Sequence, residues 1–379
     1  MGREERQAII KKIEEIHGSK VLTYIISTRP SVQTQIDVVD LREMYDHLLR
    51  MGKSTKIDLF IYSLGGAGSV AWALSNLVRE FTNDFTVLVP NFAFSCATGI
   101  ALGANKIIMG KSGTLGPVDP SVWNAFNPVI GGKVVPISVE DIGGYISLLK
   151  DKSELGDEKN FTDVFSKLCS IVHPLALGNA YRHYIKARED TSKLLGLHMD
   201  SEKDATLIKG IVDTLVEKLY FHGHHISRFE ARSYGLDVVN AEEISSNEEN
   251  LDQLMWKLFL NYEDESDMRR PYKDEATGER SSRIIPTKMI ESNGYTSASV
   301  IEQEFLKVGL PQGTFFTQMN MQTGTVPSLA IKAAQGYQII PYIVKGGDPV
   351  IINSEIYEKK EFSFWKKFDS DDELYAIGN

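Results

Sequence analysis

Cysteine is scarce: the 379 residues contain two, Cys96 and Cys169, in no CxxC pair and in no mixed Cys/His spacing. This excludes a disulfide framework and a structural zinc site of the usual ligand spacing, and a reducing compartment is expected. Long apolar runs are missing too, with no stretch approaching about 18 uninterrupted apolar residues, so no membrane span is expected. Basic charge is in deficit, 41 Lys and Arg against 51 Asp and Glu for a formal net charge of −10. Backbone phosphates need a basic face, so nucleic acid is not expected as a partner. The opening residues, MGREERQAIIKKIEEIHG, alternate charges along an amphipathic pattern and lack the apolar h-region of a signal peptide, so the expected location is cytoplasmic. No internal repeat and no low-complexity block is present.

What is present is 42% hydrophobic residues in a chain long enough for a large core, either two domains or one with a substantial extension. The organising stretch is 57 to 120. Ile57 to Tyr62 is an apolar run of strand length that enters the turn Ser63-Leu64-Gly65-Gly66-Ala67-Gly68 and then an amphipathic segment from Val70 to Phe81. Phe85 to Pro90 repeats the strand pattern, and Ser95 opens an Ala/Gly-rich helical segment from Cys96 to Ala104. Before this stretch, residues 3 to 17 read as a helix ended by Gly18, Val21 to Ser27 as a strand, and Asp37 to Met51 as a helix ended by Gly52; Lys106 to Met109 adds a fourth strand. The order βαβαβαβ predicts an α/β fold, a parallel sheet with flanking helices, because each parallel crossover needs a covering helix.

Residues 121 to 132 read as a surface loop. Helical patterns follow at Val139 to Leu149, Asn160 to Cys169, Leu175 to about Leu197, Ala205 to Tyr220, Phe229 to Tyr234 and Leu251 to Tyr262. From Glu263 the segment EDESDMRRPYKDEATGERSS is polar and charged and reads as a linker or mobile loop. The expected division is therefore a domain over 1–262, a linker over 263–282, and a C-terminal extension of uncertain fold and role over 283–379, with strand-like runs at Gln338 to Val344 and Pro349 to Ile352.

A glycine turn after a strand can bind phosphate or offer backbone N–H groups to a developing oxyanion. The turn at 63–68 has neither the GxxxxGK[ST] nor the GxGxxG pattern, so nucleotide binding has little support, while a plain strand-to-helix turn stays open. Ser95 can be an ordinary helix cap or a nucleophile. Neighbouring strand ends in a parallel sheet lie side by side, so the Gly65-Gly66 turn and Ser95 should face one crevice, as acyl transfer requires.

The segments SLGG (63–66), SCATGIALGANKIIMG (95–110), LGPVDP (115–120) and ISRFEARSYGLDV (226–238) resemble the Clp protease/crotonase superfamily. The resemblance is greatest to the serine dehydrogenase proteinase family, related to signal peptide peptidase A, and extends over roughly residues 5 to 260. It implies a Clp/crotonase-like fold, with Ser95 as nucleophile and the N–H groups of Gly66 and Cys96 as oxyanion hole. The place where Clp relatives keep their histidine is occupied by Val118-Asp119-Pro120, so Asp119 is a candidate site residue, or an aspartate that bonds its own turn. Signal peptide peptidase relatives use a lysine from a later helical region; Lys133, Lys150 and Lys152 fall near it, and Lys150 follows an apolar helix face that could desolvate it, although a solvated helix-end lysine is the alternative. His222, His224 and His225 lie where the Clp triad keeps its acid, and His224 is the histidine candidate. The expected site is thus Ser95 with Lys150, His224 or Asp119 handling the proton, and Gly66 and Cys96 holding the oxyanion, with no cofactor and no metal.

The function expected from this resemblance is a cytoplasmic serine peptidase-like hydrolase acting on a peptide or protein substrate and assembling as a homo-oligomer, a trimer or ring. Two other readings stay open: a crotonase-like enzyme using the same hole for the enolate of an acyl thioester, and a catalytically inactive assembly protein.

Overall fold

The computed structural model describes residues 2–118, 121–122, 124–130, 132–152, 158–219, 221–246, 249–308, 314–321, 324–333, 336–341, 348–352 and 355–368. The first elements are α1 (Arg3–His17), β1 (Lys20–Ile26), α2 (Asp40–Met51), β2 (Ile57–Tyr62), α3 (Ser69–Arg79), β3 (Phe85–Val89), β4 (Phe92–Ala93), α4 (Cys96–Leu102), β5 (Lys106–Met109) and β6 (Thr114–Leu115). The chain leaves α1 through Gly18 at φ 63°, a left-handed position that stops the helix at little steric cost.

The parallel half of the main sheet runs in the order Val238–Asn240, β5, β3, β2, β1. Its strands are apolar almost throughout because both faces are covered. Leu22, Tyr24 and Ile26 of β1, Leu59 and Ile61 of β2, and Val87 and Val89 of β3 face the core shared with α2, α3 and α4. Val21 and Ile25, Phe60 and Tyr62, and Leu88 face the opposite core, shared with α1 and the helix Leu251–Glu265. The helix Pro174–Leu195 buries Leu194 and Leu195 in the first of these layers.

Beyond β1 the sheet turns antiparallel, and here it departs from the expected division of the chain. The strand Arg280–Ser292 pairs with β1, and Tyr295–Lys307, Glu355–Phe368 and Asp348–Ile352 follow in order, nine strands among the described residues. The segment read as a linker is packed down: its helix runs on to Glu265, Met268 and Ala276 are buried, Arg29 bonds the Asp267 carboxylate at 2.5 Å, and the Tyr272 N–H donates to the Pro30 carbonyl at 3.0 Å. Its charge comes from surface side chains on a fixed backbone. The extension also carries a three-stranded antiparallel sheet, 314–321, 324–333 and 336–341.

Candidate active site

The strand-to-helix handover at Ser95 is a strained joint. Ser95 takes φ 52° and ψ −114°, a conformation that non-glycine residues rarely adopt. Such positions persist where the surroundings over-determine them, and they cluster at functional sites. The surroundings here are explicit. The Ser63 N–H donates to the Phe92 carbonyl and the Phe94 N–H to the Ser63 carbonyl, both at 3.0 Å, so the end of β2 grips the segment before Ser95. After it, α4 is drawn against α3 by small residues: a Cβ on Gly99 would come within 3.0 Å of the Ala71 Cβ, and one on Gly103 within 2.3 Å of the Ser75 hydroxyl.

Gly65 and Gly66 have different reasons for being glycine. A Cβ on Gly65, at φ 113°, would lie 2.7 Å from the Ser95 Cβ and 3.2 Å from its Oγ, so this turn touches the serine. A Cβ on Gly66, at φ 152°, would lie 2.2 Å from the Ile36 carbonyl oxygen. Ile36 pairs with this turn as a parallel neighbour: its N–H donates to the Gly65 carbonyl and its carbonyl accepts from the Ala67 N–H, each at 2.9 Å. Both bonds use residues flanking Gly66, which turns the Gly66 N–H to the opposite side, toward the 92–95 segment. Cys96 is the first residue of α4, so its N–H has no intrahelical acceptor. Its thiol is buried against the Ala67 carbonyl at 3.1 Å, and burial pushes its pKa up to about 12, so it stays protonated at neutral pH.

A small second sheet sets β6 between β4 and the strand Ile226–Ser227. Its register pairs Phe92 with Thr114 and Ser227, and Ala93 with Leu115 and Ile226. One residue further on, the Phe94 ring lies across Gly116, where a Cβ would come within 3.1 Å of it, and meets the His225 ring edge-on with centroids 4.9 Å apart.

His224 is held by Glu230 of the helix Arg228–Ser233, ring nitrogen Nε2 to Oε1 at 2.8 Å, and the Tyr234 hydroxyl donates to the same oxygen at 2.5 Å. Partial burial would raise the Glu230 pKa, but the hydrogen bonds from Tyr234 and His224 outweigh it and hold it below the usual carboxylate value. The carboxylate therefore fixes the imidazole through one nitrogen and leaves Nδ1 to other partners. Lys150 sits near the end of the helix Val139–Lys152, and its side chain lies outside the described residues, as Asp119 does entirely. Lys133 is exposed in a short hairpin with Ile130. Sequence reasoning missed Ile36, Gly116 and Glu230. Gly116 lies within the LGPVDP segment without standing out in it, and Glu230 left a trace as an acid six residues after His224.

These observations define a mixed α/β sheet with flanking helices and a strained serine between a glycine turn and a helix. Residues 2–164 match the family model of the ClpP-like SDH-type serine proteinases. Two uncharacterized proteins of Methanocaldococcus jannaschii are also similar. One is 31% identical over 164 residues, 41% of this chain and 57% of the relative; the other is 30% identical over 118 residues, 31% of this chain and 39% of the relative. The matches thus span about two fifths to somewhat over half of those relatives' lengths. Among the described residues no helix is long and apolar enough to cross a membrane.

Proposed function

We propose that this protein is a serine peptidase, hydrolysing peptide bonds through an acyl-enzyme on Ser95, with the N–H groups of Gly66 and Cys96 as oxyanion donors. The observation that carries this reading is the left-handed Ser95 backbone pressed against Gly65, because a strained strand-to-helix turn lifts a nucleophile hydroxyl out of its own hydrogen-bonding frame. The raised Cys96 thiol speaks against cysteine chemistry at the same place. His224 takes the proton from Ser95 and returns it to the leaving amine, and Glu230 orients the imidazole and stabilises its charged form. The segments bearing Ser95 and His224 come together where the Phe94 ring meets the His225 ring, centroids 4.9 Å apart. Asp119 and Lys150 are the competing proton handlers.

A fluorophosphonate probe tests the nucleophile: the wild type should be labelled and Ser95→Ala should not, and equal labelling of the two would remove the proposal. For the base, His224→Gln should slow labelling by at least about 100-fold, the usual range for a lost general base. Glu230→Gln should slow it less, about tenfold, since the amide holds the imidazole less firmly than the carboxylate does. If instead His224→Gln labels like the wild type and Lys150→Met does not, the lysine is the base.

A further inference from the structure

The loop that braces Gly66 also walls a cleft on its other side. Ser31, Gln33, Thr34 and Asp37 form one wall of an opening of about 700 Å³. Its floor is the antiparallel half of the main sheet. Ser299, Ile301 and Gln303 alternate along one strand and Lys359, Glu361 and Ser363 along the next, in register as Ile301 with Ser363 and Gln303 with Glu361. The opposite face of the same ribbon is sealed against α1 and the helix Leu251–Glu265 through Ala298 and Val300. A break in register between Pro286 and Lys288 brings both Thr287 and Lys288 to the cleft. Tyr272 closes one end, its hydroxyl on Asp274 at 2.9 Å and also on Gln303, with the guanidinium groups of Arg29 and Arg283 over its ring.

The cleft has hydroxyl and amide walls and an uneven charge. Lys288 is bound by both oxygens of Asp40 at 2.8 Å, and Lys359 by Asp274 at 3.0 Å and Glu361 at 3.1 Å. Arg29 and Arg283 have their own carboxylates in Asp267 and Glu275. Asp37, Asp274 and Glu361 therefore face two lysines, an excess of one carboxylate, and the fully buried Asp40 behind the wall neutralises Lys288. An incoming cation finds carboxylate and hydroxyl acceptors, while both lysines that could hold an anion are already paired with carboxylates.

We infer that this cleft is an exosite for an extended, polar stretch of polypeptide carrying lysine or arginine. It would take the substrate beyond the residues that flank the cleaved bond. The inference rests on the peptidase reading for its purpose, not for its geometry. The wall segment is one backbone row from Gly66 and two from the segment bearing Ser95, about 10 Å, which some three residues of extended chain cover. The C-terminal extension thereby becomes part of the substrate-binding surface.

The test is fluorescence anisotropy on the full-length Ser95→Ala chain, with a labelled unstructured Ser/Gly/Lys peptide and its counterpart in which glutamate replaces lysine. The lysine peptide should bind at least about tenfold more tightly at low ionic strength, a difference that salt erodes. Ser363→Trp, which fills the cleft from an exposed position, should weaken binding by a similar factor. Glu361→Lys should reverse the preference, which a merely misfolded chain would not do. Equal binding of both peptides, no binding, or binding unaffected by both substitutions would overturn the exosite. Fluorophosphonate labelling of the wild type separates the two readings. Selective binding without labelling would leave the exosite and remove the peptidase, while labelling without selective binding would do the reverse.

Discussion

At the scale of single residues, the site depends on positions where a side chain has no room. Gly66 is the sharpest case, because the obstacle is backbone: a methyl group there would sit 2.2 Å from the Ile36 carbonyl oxygen and 2.5 Å from its nitrogen. Neither atom can swing aside as a flexible side chain would. Gly66→Ala should therefore break the pairing with Ile36 and misplace the N–H proposed to face the oxyanion. The expected result is a loss of Ser95 labelling of about 100-fold, the scale of a lost oxyanion donor, with a stability loss of about 1–3 kcal/mol from the backbone conformation alone. Gly68→Ala is the control, since a Cβ there meets nothing within 4 Å and φ is −57°. If both variants label and melt alike, Gly66 is not constrained as described.

At the scale of elements, α2 is locked to the extension by a buried histidine. His47 is fully buried, hydrogen-bonded to the hydroxyls of Ser292 at 2.8 Å and Ser297 at 3.2 Å, and it lies against the Tyr295 ring. Burial, reinforced by the nearby Arg50 charge, lowers its pKa to about 3. The unfolded chain holds this imidazole at its ordinary value near 6.5, so below that pH the unfolded state binds the extra proton. Stability should then fall with falling pH between about 6.5 and 3, by up to about 1.4 kcal/mol per unit from this group. His47→Gln keeps a hydrogen-bonding side chain and removes the titration. It should flatten this acid limb of urea midpoints while costing some stability at pH 7, and an unchanged acid limb would show that His47 does not govern it.

The same scale explains what could be read from the chain beforehand. The parallel strands were legible because two-sided burial leaves an apolar run such as IDLFIY between turn residues, and α1 and α2 because each ends at a glycine. The row Phe94, Gly116, His225 was not legible, since it joins three strands that are distant in sequence through a register only the fold supplies. The extension escaped because its strands are rich in Ser, Thr, Glu and Lys. Alternating burial is obscured when the buried positions are themselves polar, as Glu291, Thr296, Ser297 and Gln303 are.

At the scale of the whole molecule, one buried ionic network ties the first helix to the first antiparallel strands of the extension. Arg6 of α1 grips Glu291 of the extension through two bonds of 2.9 Å and also reaches Asn261 and Glu265 at 3.2 Å. Tyr262 donates to Glu291 at 2.5 Å, Thr296 donates to it at 2.9 Å, and Arg3 donates to Thr296 at 2.8 Å. Both Arg6 and Glu291 are fully buried, so neither charge has water to fall back on. Removing one partner leaves the other uncompensated, and Arg6→Met should cost about 3–5 kcal/mol in chemical unfolding. Arg6→Met combined with Glu291→Leu should recover part of that loss, because it removes the Glu291 charge while the buried Glu265 carboxylate stays. A chain stopped after Tyr262 would lose the strand that covers β1, exposing an apolar strand edge together with the emptied Arg6 site. It should be recovered as aggregate, not as a smaller folded domain, and a monodisperse truncated protein that melts cooperatively would show that the extension is an accessory to the fold and not part of its core.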